Sequence, residues 1–409
     1  MFILAFFSTL IWVQMQTTAC RTASLFSKTE SYRAIFPHLQ HQLYLNHAAV
    51  SPLSSRVVNA VQGYLSERSE WDIENYSSRL MPTLNSARQR VASFIHCEPH
   101  QLAFVPNTSY ALNILAQGLK WRSGDRILLY DQEFPANVYP FLNLRQHGVE
   151  IDFVSSRDGQ ILLNDIEAKL TPRTRLVSIS YVQFLTGFRI DLTALAELCH
   201  RYGALVSIDA IQGLGAMPID FKRMGIDFLA AGCHKWAMSP MGIGIMAMTD
   251  ALLEQLGAPF VGWLSVEDGW DFFNYGQNLL ADARRHELGT QNWIGLVGLN
   301  EAFALFHELG AETIAEKLLV LSAHLYQRLH EEGFRTAFVA EKQHYSGIIS
   351  IQGLTNPSGI QHQLMQAHIE VSTREGLLRI SPHFYNTIDE LEHFLAQLKA
   401  IVQRKPVHT

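Results

Sequence analysis

From about residue 83 to residue 248 the chain alternates short, almost wholly apolar runs with amphipathic ones. Residues 101–105, 126–130, 150–154, 176–181, 204–208, 228–231 and 242–248 read as strands, while 84–95, 110–119, 138–145 and 192–202 carry apolar residues at helical spacing. Strands that are apolar on both faces must be covered on both faces, and helices between successive strands supply that cover. This pattern predicts an α/β fold built on a parallel sheet sandwiched by helices. After about residue 295 the pattern changes. Long helices (296–309 and 313–332) precede short strands near 347–351 and 377–380, and a last helix covers 388–403. That is a smaller α+β C-terminal domain. The division expected is a tail over residues 1–43, a large domain over 44–295 and a small one over 296–409.

Phe2 to Val13 is an apolar run of 12 residues with no charge. A membrane span needs about 20 residues. The run is long enough for the core of a signal peptide, but no Lys or Arg follows Met1. Thr17-Thr18-Ala19-Cys20 faintly resembles a lipoprotein cleavage box, with Thr17 where an aliphatic residue belongs. The reading favoured is an over-long start, with Met15 as initiator, or a dispensable tail on a cytoplasmic protein; export is the alternative. The polar, unpatterned residues 21–33 are expected to be loosely ordered. Four cysteines among 409 residues fit a reducing compartment and no disulfide scaffold, and 32 basic against 38 acidic residues offer no basis for nucleic-acid binding.

In open parallel sheets, ligands sit at the carboxyl ends of the strands. The polar residues there are Asn107-Thr108-Ser109, Asp131-Gln132-Glu133-Phe134, Gln183, Asp209 with Gln212, and Cys233-His234-Lys235. Lys235 follows an apolar strand, where a free ammonium is costly. Burial lowers an amine's pKa, and a neutral amine forms a Schiff base with an aldehyde. Asp209 lies 26 positions earlier, at another strand end. Pyridoxal phosphate needs both groups: a lysine for its aldehyde and an acid to hold its ring nitrogen protonated. Taken singly, Lys235 reads as a surface lysine and Asp209 as a helix cap; together they read as a cofactor site. Thr108 and Ser109 open a helix, which suits a phosphate or simple capping equally.

Asp209-Ala210-Ile211-Gln212-Gly213, Cys233-His234-Lys235-Trp236 with Pro240-Met241-Gly242, and Arg379-Ile380-Ser381-Pro382-His383-Phe384-Tyr385-Asn386-Thr387 resemble the class V aminotransferases, which are fold-type I pyridoxal-phosphate enzymes. The resemblance runs from about residue 44 to about residue 397. Within the family the chain is most similar to the isopenicillin-N-epimerase-like and cysteine-desulfurase-like branch, through His234-Lys235-Trp236, Glu133-Phe134-Pro135-Ala136-Asn137 and Ser381-Pro382-His383-Phe384. It implies a mostly parallel seven-stranded sheet domain, pyridoxal 5′-phosphate, an amino-acid substrate and a homodimer with shared active sites. It implies Lys235 as the Schiff-base lysine and proton carrier, and Asp209 as the partner of the ring nitrogen. Gln212 would bond the ring 3-oxygen, and Phe134 would stand where relatives carry a ring-stacking His. Thr108, Ser109 and His234 would approach the phosphate, with Thr290 reaching a neighbouring subunit's phosphate. Gln183 is a further expected contact, and Arg379, with Arg374 as understudy, would bind the α-carboxylate.

The chain also departs from the family. Gly232 stands where relatives carry Ser, and no cysteine lies on the approach to Arg379 from Ile369. A persulfide-forming desulfurase needs such a thiolate, so that activity is not expected. Transamination, epimerisation and C–S or C–Se lysis all remain open, as does a non-catalytic cofactor-binding protein. His96-Cys97, Cys199-His200 and Cys233-His234 lack zinc spacing, so no metal site is expected, and no glycine-rich nucleotide loop is present.

Overall fold

The computed structural model describes residues 25–403 apart from 72, 73, 75, 339 and 340. The apolar run at the start therefore lies outside the described residues. A two-residue strand, β1 (Leu43–Tyr44), leads into the large sheet, whose strands are β2 (Leu102–Val105), β3 (Arg126–Tyr130), β4 (Glu150–Val154), β5 (Thr174–Ser180), β6 (Leu205–Asp209), β7 (Phe228–Gly232) and β8 (Gly244–Met248). Their order is β2-β8-β7-β6-β5-β3-β4. All pairings are parallel except the two made by β8. The reason is length. A parallel crossover needs a dozen or more residues, usually with a helix, and residues 233–243 form a compact turn between β7 and β8. That turn carries Lys235.

Every residue of β2, β7 and β8 is buried, whereas the edge strand β4 is half-exposed. β4 is tied to its neighbour by a two-pronged Arg126–Asp152 pair at 2.6 Å. Side chains alternate across the sheet. Ile127 and Leu129 join one core, with Ala103, Ala230 and Met246, while Leu128 and Tyr130 join the other, with Val177, Ile208 and Leu229.

The C-terminal sheet has the order β12-β13-β10-β9, from β9 (Arg335–Thr336), β10 (Ile349–Gln352), β12 (Ser372–Arg374) and β13 (Leu377–Ile380), all antiparallel. β11 (Ile369–Glu370) pairs in parallel with β1. Among the described residues no helix is long and apolar enough to cross a membrane.

Three expectations need correcting. Residues 25–33, in the stretch expected to be loosely ordered, and the rest of the expected tail up to residue 43 are tied down. Thr29 is fully buried, Phe36 stacks on Tyr385 at 4.2 Å, Arg33 pairs with Glu390 at 2.6 Å, and the Lys28 amine donates to Leu309 O at 2.8 Å. Those partners are some 280–360 residues away in sequence, so local pattern could not reveal them. The expected helix over 138–145 is a single α-helical turn, Tyr139–Leu142, with Pro140 in its first turn where the missing N–H costs nothing, and it runs on as a tighter 3-10 stretch, Asn143–His147. A 16-residue helix, Ser55–Glu70, was not read from the sequence. It buries only Val57 and Tyr64 and starts on a Ser54 cap, so it carries little apolar periodicity.

Candidate active site

A cavity of about 320 Å³ opens at the carboxyl ends of β2, β3, β5, β6 and β7. It is lined by Asn107, Thr108 and Ser109 after β2, Phe134 and Ala136 after β3, Phe184 after β5, Asp209, Ile211 and Gln212 at the end of β6, and His234 and Lys235 after β7. Ala48 and Ala49 approach from the segment after β1, and Arg374 and Arg379 from the small sheet. A larger cleft of about 760 Å³ lies elsewhere, walled by Tyr64, Tyr76, Trp263, Trp270 and Trp293. No lysine is among its described lining residues, and its buried charges, Arg88 and Glu287, are paired with each other at 2.8 Å. The smaller cavity holds the reactive groups.

The Lys235 amine lies 5.6 Å from the Phe134 ring centroid. Burial pushes it down to about 8; Asp209 pulls it back up, and Arg379 and Arg374 add to the lowering. Asp209 is 1% exposed and accepts a hydrogen bond from the Ile211 N–H at 3.0 Å. Its carboxyl is pushed up to about 7, chiefly by burial, with the charge of Glu133 adding to the rise. A carboxylate held this way calls for a cationic partner. A protonated pyridine nitrogen is one.

Gln212 is oriented by its neighbours. The Trp236 indole N–H, a donor only, bonds Gln212 Oε1 at 2.7 Å, so the amide N–H₂ must face the other way. One of its hydrogens goes to Ala48 O at 3.0 Å, which leaves the second for a ligand oxygen. Thr108 begins the helix Thr108–Gly118, whose Asn107 cap accepts from the Tyr110 N–H. Thr108 Oγ1 accepts from the Gly232 N–H at 2.8 Å and keeps its own O–H to donate. Ser109 is exposed beside it. A side chain at Gly232 would meet the His234 ring at 3.2 Å, so the glycine makes room for that imidazole. Burial, with the neighbouring Lys235, favours its neutral form. Helix-start N–H groups, two hydroxyls and an imidazole suit a phosphate dianion.

Phe134 is 43% exposed and meets Phe184 edge-on at 5.3 Å. Phe184 is a wall residue that the sequence reading missed by one position. Gln183, expected as a contact, instead turns inward and donates to Glu133 at 3.2 Å. Both residues lie beyond β5, where the chain enters a turn at Phe184, and one position along that turn separates a wall residue from a buried one. Ala48 and Ala49 carried no sequence signal at all.

Arg379 is 2% exposed. Its Nε–H donates to Ser372 Oγ at 3.2 Å and one Nη1–H to Phe184 O at 2.8 Å. Among the described residues it has no acidic partner, and burial, then Arg374, weakens its hold on charge. Arg374 is exposed at the same cavity and donates to Thr373 O. Thr290 does not reach this cavity; it is exposed on the aromatic cleft and on a neighbouring hollow with Gly289 and Tyr110.

These groups fit pyridoxal phosphate: an amine for the aldehyde, an acid for the ring nitrogen, an amide N–H for the 3-oxygen and a helix start for the phosphate. Residues 43–394 match the family model described as Aminotransferase class-V. The chain is 28% identical over 371 residues to YcbU, an uncharacterised aminotransferase of Bacillus subtilis, across 91% of this chain and 97% of that one. It is 28% identical over 348 residues to the isopenicillin N epimerase of Amycolatopsis lactamdurans, across 80% and 86%. An apo cysteine desulfurase from Thermococcus onnurineus superposes with a TM-score of 0.84 at 26% identity, covering 91% of this chain and 98% of that one.

Proposed function

The chain belongs to the class-V aminotransferase family, pyridoxal phosphate is its cofactor, and we propose that within this family it transaminates an amino acid. When bound, the cofactor supplies an electron sink for the α-carbon. Asp209 holds the ring nitrogen, Gln212 the 3-oxygen, and Thr108, Ser109 and His234 the phosphate. Arg379 would receive the substrate carboxylate, and Lys235 would carry the proton from Cα.

The observation that carries this reading is the set of groups in the cavity wall. Apart from Asp209 and His234, which serve the ring and the phosphate, Lys235 is the one proton-transfer group among the described lining residues. Phe134 and Phe184 offer no second acid or base. A single base can move a proton from one carbon to the next on the same face, which is what transamination needs. Epimerisation asks for proton delivery from the opposite face, and elimination asks for an acid at the leaving group. The identity to an epimerase keeps epimerisation as the second reading.

Persulfide chemistry is not part of the proposal. Cys97, Cys199 and Cys233 are all buried, and burial raises each thiol, Cys97 and Cys199 to about 12. A homodimer is. Trp270, Phe272, Phe273 and Tyr275 are 54–88% exposed on one segment bordering the cleft that holds Thr290. Apolar area on that scale belongs against a partner, and a second copy covering it would bring Thr290 towards the other site.

The test is to titrate the holoprotein with L- and D-amino acids, L-cysteine included, while following cofactor absorbance and analysing products. A keto acid matched to the added amino acid is expected. An inverted amino acid without keto acid would replace transamination by epimerisation, and a protein-bound persulfide would refute the exclusion of desulfuration.

A further inference from the structure

The run Glu133-Phe134-Pro135-Ala136-Asn137 is split by the fold. Phe134 and Ala136 line the Lys235 cavity, whereas Glu133 and Asn137 are buried behind it, 7% and 0% exposed. Glu133 Oε1 accepts the Ser180 N–H at 2.7 Å and a Gln183 Nε2–H at 3.2 Å, and Oε2 accepts the Ser180 Oγ–H at 2.5 Å. Asn137 Oδ1 accepts the Ser178 Oγ–H at 2.6 Å, and Ser178 Oγ lies 3.1 Å from Ser207 Oγ. Ser178 and Ser207 are register partners across β5 and β6, and so are Ser180 and Asp209. Glu133 is thus clamped to the residue beside Asp209, one strand behind the cavity floor.

Its donors are all neutral, and no ion pair to Glu133 is found among the described residues. Such a carboxylate is expensive to bury, and a purely structural clamp would be served as well by a glutamine. We propose that Glu133 is a positioning residue whose charge acts through Ser180 and Asp209 to keep the ring nitrogen of the bound cofactor protonated. Two carboxylates on one side of the cavity floor favour a positive charge at the atom facing Asp209. That protonated ring is the better electron sink. The electrostatics bear on both carboxyls: the charge of Glu133 adds to the rise at Asp209, while burial raises Glu133 itself, against which the hydrogen bonds from Ser180 and Gln183 favour its charged form.

The inference rests on pyridoxal phosphate occupying this cavity. The experiment loads cofactor labelled with ¹⁵N in the ring into the wild-type protein, Glu133→Gln and Gln183→Leu, and follows the ring nitrogen's chemical shift against pH. Glu133→Gln keeps the shape, since its oxygen can take the Ser180 N–H and its amide can donate to Ser180 Oγ, but it removes the charge. Gln183→Leu removes one donor to Glu133 together with a buried Oε1 that has no partner, so it is expected to fold. Glu133→Gln should release the ring proton at a pH lower by roughly one unit or more, the effect of one charge at side-chain range in an effective dielectric of about 20. Gln183→Leu, by raising the proton affinity of Glu133, should shift it the same way by less. Bound cofactor with an unshifted ring nitrogen in Glu133→Gln, or in Gln183→Leu should the first variant not fold, overturns the role of Glu133. Failure of the wild-type chain to take up the cofactor at all would instead overturn the reading of the cavity.

Discussion

Replacing Arg379 with lysine keeps a cation at the cavity wall and removes the fork. A guanidinium has five N–H groups. Two are engaged, the Nε–H on Ser372 Oγ at 3.2 Å and one Nη1–H on Phe184 O at 2.8 Å, which leaves three to meet a carboxylate two-pronged. An ammonium has three N–H groups around one atom and cannot satisfy the Phe184 carbonyl and both carboxylate oxygens in that geometry. One charge-assisted hydrogen bond to the substrate is therefore lost, about 1.5–3 kcal/mol, or roughly 10- to 150-fold in the dissociation constant. The measurement is titration of Arg379→Lys holoprotein with whichever amino acid the wild type converts, read from cofactor absorbance. The resting spectrum should match the wild type, because Arg379 acts on the substrate and not on the ring. Unchanged amino-acid affinity with an intact resting spectrum would falsify the assignment of Arg379 to the α-carboxylate and move it to Arg374.

Borohydride reduction of the holoprotein followed by peptide mass mapping should place a pyridoxyl group on Lys235; a label on any other lysine sinks the assignment. In the cofactor-free protein the Asp209 carboxyl sits at about 7, above its ordinary 3.8, so it favours the folded state at low pH and that contribution is lost as pH rises through 7. Asp209→Asn should flatten this slope. Equal pH dependence of the two melting temperatures would contradict the burial argument. Arg88 and Glu287 form a buried two-pronged pair at 2.8 Å, and Glu287 also takes the Phe104 N–H. Arg88→Ala leaves that carboxylate uncompensated and should cost about 3–5 kcal/mol in urea unfolding; a loss below about 1 kcal/mol would show that water reaches the pair.

The parallel sheet and the cofactor chemistry were legible in the sequence because both are written locally. Doubly apolar runs such as 228–231 have no alternative but a covered sheet, and a lysine and an aspartate at two strand ends are a chemically specific pair. What tertiary structure decided is everything that depends on orientation or on distant partners. Whether Gln183 or Phe184 faces the cavity is set by the turn that follows β5. The inward turn of Glu133 depends on Ser180, 47 positions away. The place of Phe36 depends on Tyr385. The direction of β8 follows from a connection too short for a crossover, and the neutral partners of Arg379, Ser372 and the Phe184 carbonyl, meet it only when the small sheet docks against the segment after β5. A sequence carries residue types and periodicities; which side of a strand faces a cavity, and which charge is left without a mate, are properties of packing between segments far apart in the chain.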